Sequence, residues 1–375
     1  MRGHIRKRGS KWAIIVEAGR DENGRRTQRW HSGFDTKRDA TAALTEILGR
    51  MQRNEYVTPS NVTVGDWVKQ WLAQVNRRPA TQAMYEMLAT NYIIPTLGSI
   101  RVQELTPSRC NGLYRDLESK GGRRGTLSSK SIRHVHAVLR AAINAAVSEG
   151  IVHRNVALQA KPPRLKTPEM RTWTASELRT FLSAIADNRL YAAFLTSAST
   201  GLRRGELLGL RWRDIDLDDG YLQVRQSLIV VNHRIIVSST KTEKAARSVA
   251  LDPDTVEALR GWRARVLEER IALGIGAPQP DDLVFAQEDA SPLHPSDFAK
   301  RFRRLVKAAG LPRIRLHDLR HTHASLALQA GVHVKVVSER LGHSSVGITL
   351  DTYSHAIPAM DAEAAVRVME IVKTA

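Results

Sequence analysis

Four short stretches carry residues suited to one kind of chemistry: Thr200-Gly-Leu-Arg-Arg-Gly-Glu206, Thr240-Lys-Thr242, His317-Asp-Leu-Arg320 and Leu341-Gly-His343, with Tyr353 ten positions beyond the last histidine. Together they supply a nucleophile, arginines, histidines and a lysine, which is what breaking and rejoining a phosphodiester requires. A guanidinium is always charged and its flat fork matches two phosphate oxygens, so two of them on one phosphate hold the charge of a pentacoordinate transition state. A phenol with a pKa near 10 costs roughly 4 kcal/mol to ionise at pH 7, and nearby cations offset that cost. Spacing alone leaves two choices open, Arg203 against Arg204 and Lys241 against Lys244. Glu206 lies one helical turn from Arg203, where it can steady a cation by a charged hydrogen bond, and His317 and Arg320 share a helix face.

The elements that must position these residues belong to a chain of 375 residues, long enough for two or three domains. Lys+Arg of 57 against Asp+Glu of 38 gives a formal charge of +19, which favours a polyanionic partner. A single cysteine, Cys110, excludes an internal disulfide and suits a reducing cytoplasm, where it reads as buried filler. No apolar run is long enough to span a bilayer and no signal peptide is recognisable, so a cytoplasmic protein is expected.

Pattern divides the chain into three. Residues 1–57 begin with a basic ribbon, nine Arg/Lys against three acids between positions 2 and 30. Strands are expected over 12–17 and 25–31 about an Asn23-Gly24 turn, followed by a helix from Thr36 to about Arg53 with Ala40, Ala43, Leu44, Ile47, Leu48 and Met51 on its apolar stripe. Such a ribbon can enter a major groove, with Arg6, Lys7, Arg8, Lys11, Arg25, Arg26 and Arg29 as candidate DNA contacts. Trp12 and Trp30 read as packing on the helix.

Residues 58–160 are helical by periodicity, with helices over about 64–72, 81–92, 107–119 and 128–149. Gly121-Gly-Arg-Arg-Gly125 lacks the Gly-Lys-Ser/Thr ending of a phosphate cradle and reads as a basic connection, which adds Arg123 and Arg124 to the candidate contacts. A proline-rich linker near 160–170 adds Lys161 and Arg164. From there to 375 runs the largest part. Thr174-Ala-Ser-Glu177 forms a capping box, strands are expected over 221–229, 234–237 and 247–251, and helices over 254–270, 295–309, 318–329, 334–341 and 359–372.

Two decoys are set aside. His317, His321 and His323 hint at zinc, yet no Glu follows the first histidine and no cysteine pair exists. Asp214-x-Asp216-x-Asp218 starts like a calcium loop but has Asp219 where Gly is needed and Arg225 where Glu is needed. No metal and no cofactor are expected.

In order and spacing the four stretches and Tyr353 resemble the tyrosine recombinase, or phage integrase, family, and the resemblance extends over nearly the whole chain. It implies a multidomain, mainly α protein: an arm-binding module of small sheet plus helix (1–57), a helical core-binding domain (58–160) and an α+β catalytic domain (161–375). It further implies conservative recombination of duplex DNA at core-type and arm-type sites through a 3′-phosphotyrosyl intermediate, without cofactor. The family pattern selects Tyr353 as nucleophile, Arg203 and Arg320 as phosphate clamp, Lys241 as the acid that protonates the departing 5′ oxygen, His317 as an aid to proton transfer at the tyrosine and His343 as a donor to a non-bridging oxygen, with Glu206 supporting. A homotetramer on DNA, DNA-bending and directionality proteins, and a C-terminal helix docked on a neighbour are expected by the same likeness. A type IB topoisomerase-like nicking enzyme shares the chemistry but needs no arm module. A non-cleaving DNA-binding regulator shares the charge but needs no such residue set.

Overall fold

The structure is a computed structural model that describes residues 3–20, 26–53, 55–121, 125–165, 171–239, 246–353, 370 and 372–373. The chain divides into two units, Met1–Thr167 and Pro168–Ala375.

The first unit opens with an antiparallel sheet of three strands in the order β1 (Gly3–Arg8), β2 (Lys11–Arg20), β3 (Arg26–Phe34), followed by α1 (Lys37–Gln52). Two strands were expected. The extra one, β1, pairs Arg8 with Lys11 around a tight turn in which Gly9 takes φ +63°, and its run His-Ile-Arg-Lys-Arg has too little apolar alternation to announce a strand. Ala13, Ile14, Ile15 and Val16 of β2 are buried, and Thr36 caps α1 by accepting from the Asp39 N–H at 3.1 Å. Such a cap contributes about 1 kcal/mol. Trp30 was expected to pack on the helix but is 46% exposed, although it stands opposite the buried Ile15 of β2. The Asn23-Gly24 turn lies outside the described residues.

Helices α2 (Val64–Gln74), α3 (Pro79–Leu88), α4 (Ile94–Leu97), α5 (Pro107–Ser119) and α6 (Ser129–Ser148) complete this unit, with Thr63, Thr106 and Ser128 as side-chain caps. The helix expected to stop at 92 runs on: α3 passes through one wide π turn, Ala89–Ile93, into α4. A wide turn accommodates Pro95, whose ring would clash with the carbonyl of a regular preceding turn. Trp67, Trp71, Ile93, Cys110, Tyr114, Val135 and Leu139 belong to one core, and the Trp67 indole donates to the Ala142 carbonyl at 2.7 Å. Each large side chain so buried contributes about 1.5–3 kcal/mol relative to exposure.

The second unit contains α7 (Ala175–Ala184), α8 (Tyr191–Thr200), α9 (Arg204–Leu208), β4 (Ile215–Asp216), β5 (Tyr221–Val224), β6 (Gln226–Val231), β7 (Arg234–Ser239), β8 (Arg247–Ala250), α10 (Pro253–Ala272), α11 (Pro295–Ala308), α12 (Asp318–Gln329), α13 (Val334–Leu341) and α14 (Val346–Tyr353). The single strand expected over 221–229 is two. β5 joins a sheet in the order β4-β5-β8 while, among the described residues, β6 pairs with β7 alone, the change falling at Arg225. The core is aromatic, with Phe194 stacked on Phe298 at 4.7 Å and Trp173, Phe181 and Phe302 around them. The acidic run near Asp216 is a turn, its carboxylate accepting from the Asp218 and Asp219 N–H groups at 3.0 and 2.9 Å. The helix expected over 359–372 lies almost wholly outside the described residues. Among the described residues no helix is long and apolar enough to cross a membrane.

Candidate active site

The end of α13 organises the site. Its last carbonyls have no partner within the helix and carry the negative end of the helix dipole, so they suit cations. Three arginines from three other segments use them. Arg247 donates from Nε to the Arg340 carbonyl at 2.7 Å, Arg320 from Nη2 to Leu341 at 2.7 Å, and Arg203 from Nη2 to Gly342 at 3.1 Å. Arg320 also donates from Nη1 to the Gly201 carbonyl, 2.9 Å away at the end of α8. Gly201 and Gly342 both stop their helices with φ +66°, a conformation that favours glycine. Close packing adds a second reason. A Cβ at Gly201 would stand 2.7 Å from Leu341 Cδ2, and one at Gly342 would stand 2.8 Å from Arg247 Nη1.

Glu206 links two of these cations. Its carboxylate accepts from the Arg203 N–H at 3.0 Å, from Arg203 Nη1 at 2.7 Å and from Arg247 Nη2 at 2.9 Å. Burial alone would raise this carboxyl, but the Arg247 hydrogen bond and the charges of Arg247 and Arg203 outweigh it and hold the group below its ordinary value. Arg320 is 3% exposed, and burial, then the neighbouring Arg203 charge, push its guanidinium down to about 9. It remains a cation at neutral pH. Three guanidinium charges against one bridging carboxylate leave the site positive, ready for an anion. Arg203, its side chain 41% exposed, is the arginine that reaches solvent.

The histidines and the tyrosine gather on α12 and α14. Tyr353, at the end of α14, is fully buried against Ala324, Leu328, Val337 and Leu341, and its hydroxyl lies 2.8 Å from Nδ1 of His321. Burial pushes the phenol up to about 12, with the Arg320 charge acting the other way. His321 is pushed down to about 4, by desolvation first and then by His317 and Arg320. The His317 ring meets the His321 ring edge-on at 5.0 Å, and desolvation followed by the Arg320 charge lowers it too. His343 is held by Thr349 of α14, Nδ1 to Oγ1 2.8 Å, and desolvation with the Arg320 and Arg203 charges brings it to about 4. With the threonine as donor, the imidazole proton stands on Nε2, free to serve an anionic oxygen.

The structure therefore brings Arg203, Glu206, His317, Arg320, His343 and Tyr353 into one region of the second unit. Arg204, the competitor that spacing left open, is exposed, whereas Arg203 carries the contacts to Glu206 and Gly342. Lys241 and Lys244 lie outside the described residues. Two members were not foreseen. Arg247 was seen only as the start of a strand, and its sole sequence signal is a basic residue opening an otherwise apolar-alternating stretch. His321 was considered only as a metal decoy; it stands one turn beyond His317, and the tyrosine hydroxyl meets it where His317 had been expected. Of the candidate DNA contacts, Arg6, Lys7, Arg8, Lys11, Arg29, Lys161 and Arg164 are exposed, Arg26 lies on β3, and Arg25, Arg123 and Arg124 fall outside the described residues.

The phage integrase family matches residues 171–360, an arm DNA-binding domain residues 4–51, and the SAM-like N-terminal domain of phage integrases residues 63–117. A tyrosine recombinase XerC-like protein of Caldanaerobacter subterraneus subsp. tengcongensis is 31% identical over 370 residues, 92% of this chain and 93% of that protein. The Tn1549 transposon integrase in complex with transposon right end DNA superposes with a TM-score of 0.68 at 23% identity, covering 81% of this chain and 99% of that one. A lambda integrase tetramer bound to a Holliday junction gives 0.57 at 20% identity, covering 91% and 95%.

Proposed function

The chain belongs to the phage integrase family and is a tyrosine-type site-specific DNA recombinase, and we propose that Tyr353 is the nucleophile that cleaves and rejoins strands through a 3′-phosphotyrosyl bond to integrate or excise a mobile element. The observation that carries this reading is the convergence of Arg203, Arg320 and His343 on the end of α13 beside the helix that bears Tyr353.

In this mechanism Arg203 and Arg320 grip the non-bridging oxygens of the scissile phosphate and His343 donates from Nε2. Their own bonds to carbonyls and to Glu206 fix them beforehand, so little reorganisation accompanies the charge that builds up; each such donor is worth about 10²- to 10³-fold in rate. The tyrosine oxygen bonds to phosphorus in line with the departing 5′ oxygen, which leaves with a proton from Lys241. Phosphoester energy stays in the phosphotyrosine, and the 5′ hydroxyl of a partner strand reverses the step without ATP. Glu206 and Arg247 position the clamp, and His317 serves the tyrosine end of the site through its edge contact with His321.

The substrate is duplex DNA with core-type sites for the helical and catalytic parts and arm-type sites for residues 1–57, and the three-part division at about 57 and 160 follows that use. The arm-domain match and the exposed basic residues of β1 and β2 support it. Assembly as a homotetramer, on the example of lambda integrase, with DNA-bending and directionality proteins, in the cytoplasm of a bacterial host, completes the proposal. The test is incubation with a nicked duplex bearing the element's crossover sequence, then denaturing electrophoresis. A covalent adduct lost in Tyr353→Phe is expected, and an adduct undiminished in that variant would falsify the assignment.

A further inference from the structure

The tyrosine hydroxyl has a partner that the phosphate clamp does not use. His321 Nδ1 lies 2.8 Å from the Tyr353 oxygen, inside hydrogen-bond reach, and no other side chain among the described residues is recorded bonding that hydroxyl. The imidazole is held from one side by its position on α12 and from another by the edge of the His317 ring, while Tyr353 is fixed by the apolar cluster of α12, α13 and α14. Resting on the assignment of Tyr353 as nucleophile, we propose that His321 is the proton acceptor for that nucleophile.

The step balances. The phenolic proton passes to the Nδ1 lone pair as the tyrosine oxygen forms its bond to phosphorus; the bond from phosphorus to the 5′ oxygen breaks, and that oxygen takes a different proton on the opposite side. In rejoining, the imidazolium returns its proton to the tyrosine oxygen as that oxygen leaves. In the DNA-free protein the proton stays on the phenol, which burial has pushed up to about 12 against about 4 for the imidazole. Two changes reverse the preference at the moment of reaction. The phosphate anion compensates the Arg320 charge that disfavours an imidazolium at His321, and bonding to phosphorus makes the phenolic O–H strongly acidic. His321 thus acts in concert with attack and never generates a free phenolate.

The test uses the full chain on the same nicked duplex, and on one whose scissile 5′ bridging oxygen is sulfur, a leaving group that needs no acid. His321→Ala and His321→Asn are each expected to slow adduct formation about 10²- to 10⁴-fold on both duplexes, with DNA affinity unchanged. The asparagine keeps a hydrogen-bond acceptor near the hydroxyl without a basic nitrogen, so it separates proton transfer from mere placement. Wild-type rates in His321→Asn, or faster cleavage in His321→Ala, overturn the proposal; the second outcome would mean that the histidine restrains the tyrosine. Should the alanine variant fail to fold by its melting transition, the asparagine variant decides alone. Tyr353→Phe runs in parallel, and an adduct surviving there breaks the nucleophile assignment, not the histidine's role.

Discussion

Arg203 donates to the carbonyl of Gly342, 3.1 Å away in space and 139 positions away in the chain. The bond joins the first of the four stretches to the last, and Arg320 and Arg247 make equivalent bonds to the two preceding carbonyls. The proposed clamp is thus built on one helix end, and substitutions around that end are expected to act on catalysis together.

Arg247 has its side chain only 7% exposed, between Glu206 and the Arg340 carbonyl. Lysine keeps the charge but loses the fork that spans both partners. Arg247→Lys is expected to lower single-turnover adduct formation about 10²-fold through misplacement of the clamp. DNA affinity measured in parallel should be little changed; a loss confined to affinity would argue for a direct DNA contact instead.

Gly342→Ala forces a side chain into the left-handed region, a cost of about 1–2 kcal/mol, and sets a Cβ 2.8 Å from Arg247 Nη1. Lower stability in urea and slower cleavage should appear together. Unchanged values for both would show that the end of α13 is more adaptable than its packing indicates.

Glu206→Gln leaves Arg247 buried without its carboxylate, and breaking such a buried pair costs about 3 kcal/mol. The pH dependence has a definite sign. Because the folded carboxyl lies below its ordinary value, its contribution is present at neutral pH, where the group is ionised in both states, and is lost as pH falls through the folded value. Urea unfolding across the acid range should show a shallower acid loss in the glutamine variant than in the parent.

His323 titrates in a different window. Its Nδ1 bonds the Ala198 carbonyl at 3.0 Å, its Nε2 is buried without a partner among the described residues, and desolvation followed by the Arg340 charge pushes it down to about 4. An unfolded histidine takes up its proton near pH 6.5. Stability from this group is therefore present above about 6.5 and drains away as pH falls toward 4. His323→Gln, able to keep the bond to Ala198, should flatten that part of the curve; an identical slope in parent and variant would assign the acid sensitivity elsewhere.

Arg6, Lys7 and Arg8 lie exposed on β1. Changing all three to Glu should weaken arm-site binding and make its salt dependence less steep by about 2.7, three contacts at about 0.9 each. Adduct formation on an isolated core site should continue. A core-site defect as large as the arm-site defect would mean that β1 serves both.

Legibility varied with the physical origin of each feature. Helices with apolar stripes and hydroxyl caps, such as α6 behind Ser128 and α2 behind Thr63, announce themselves because period and cap are local properties. β1 does not, since its charged residues hide the alternation. The break at Arg225 is invisible because β5 and β6 continue one pattern while choosing partners in different sheets. α14, with Thr349 and Thr352 among its eight residues, has weak intrinsic preference for a helix and is held by packing of Tyr353.

By itself the sequence determined the reagents: a tyrosine, two arginines, a lysine and histidines in an order that few other chemistries would need, and a net charge of +19 that chooses a polyanion. Residue types and spacing suffice for that, because ionisation and nucleophilicity belong to side chains. Only the tertiary structure decided that Arg203 reaches the Gly342 carbonyl, that Arg247 joins the arginine cluster through Glu206, and that the tyrosine hydroxyl meets His321. Those are contacts between segments 32 to 139 positions apart, fixed by which helix ends meet in space. No local pattern records them, since hydrogen bonds and charge–charge energies depend on distance through space and not on separation along the chain.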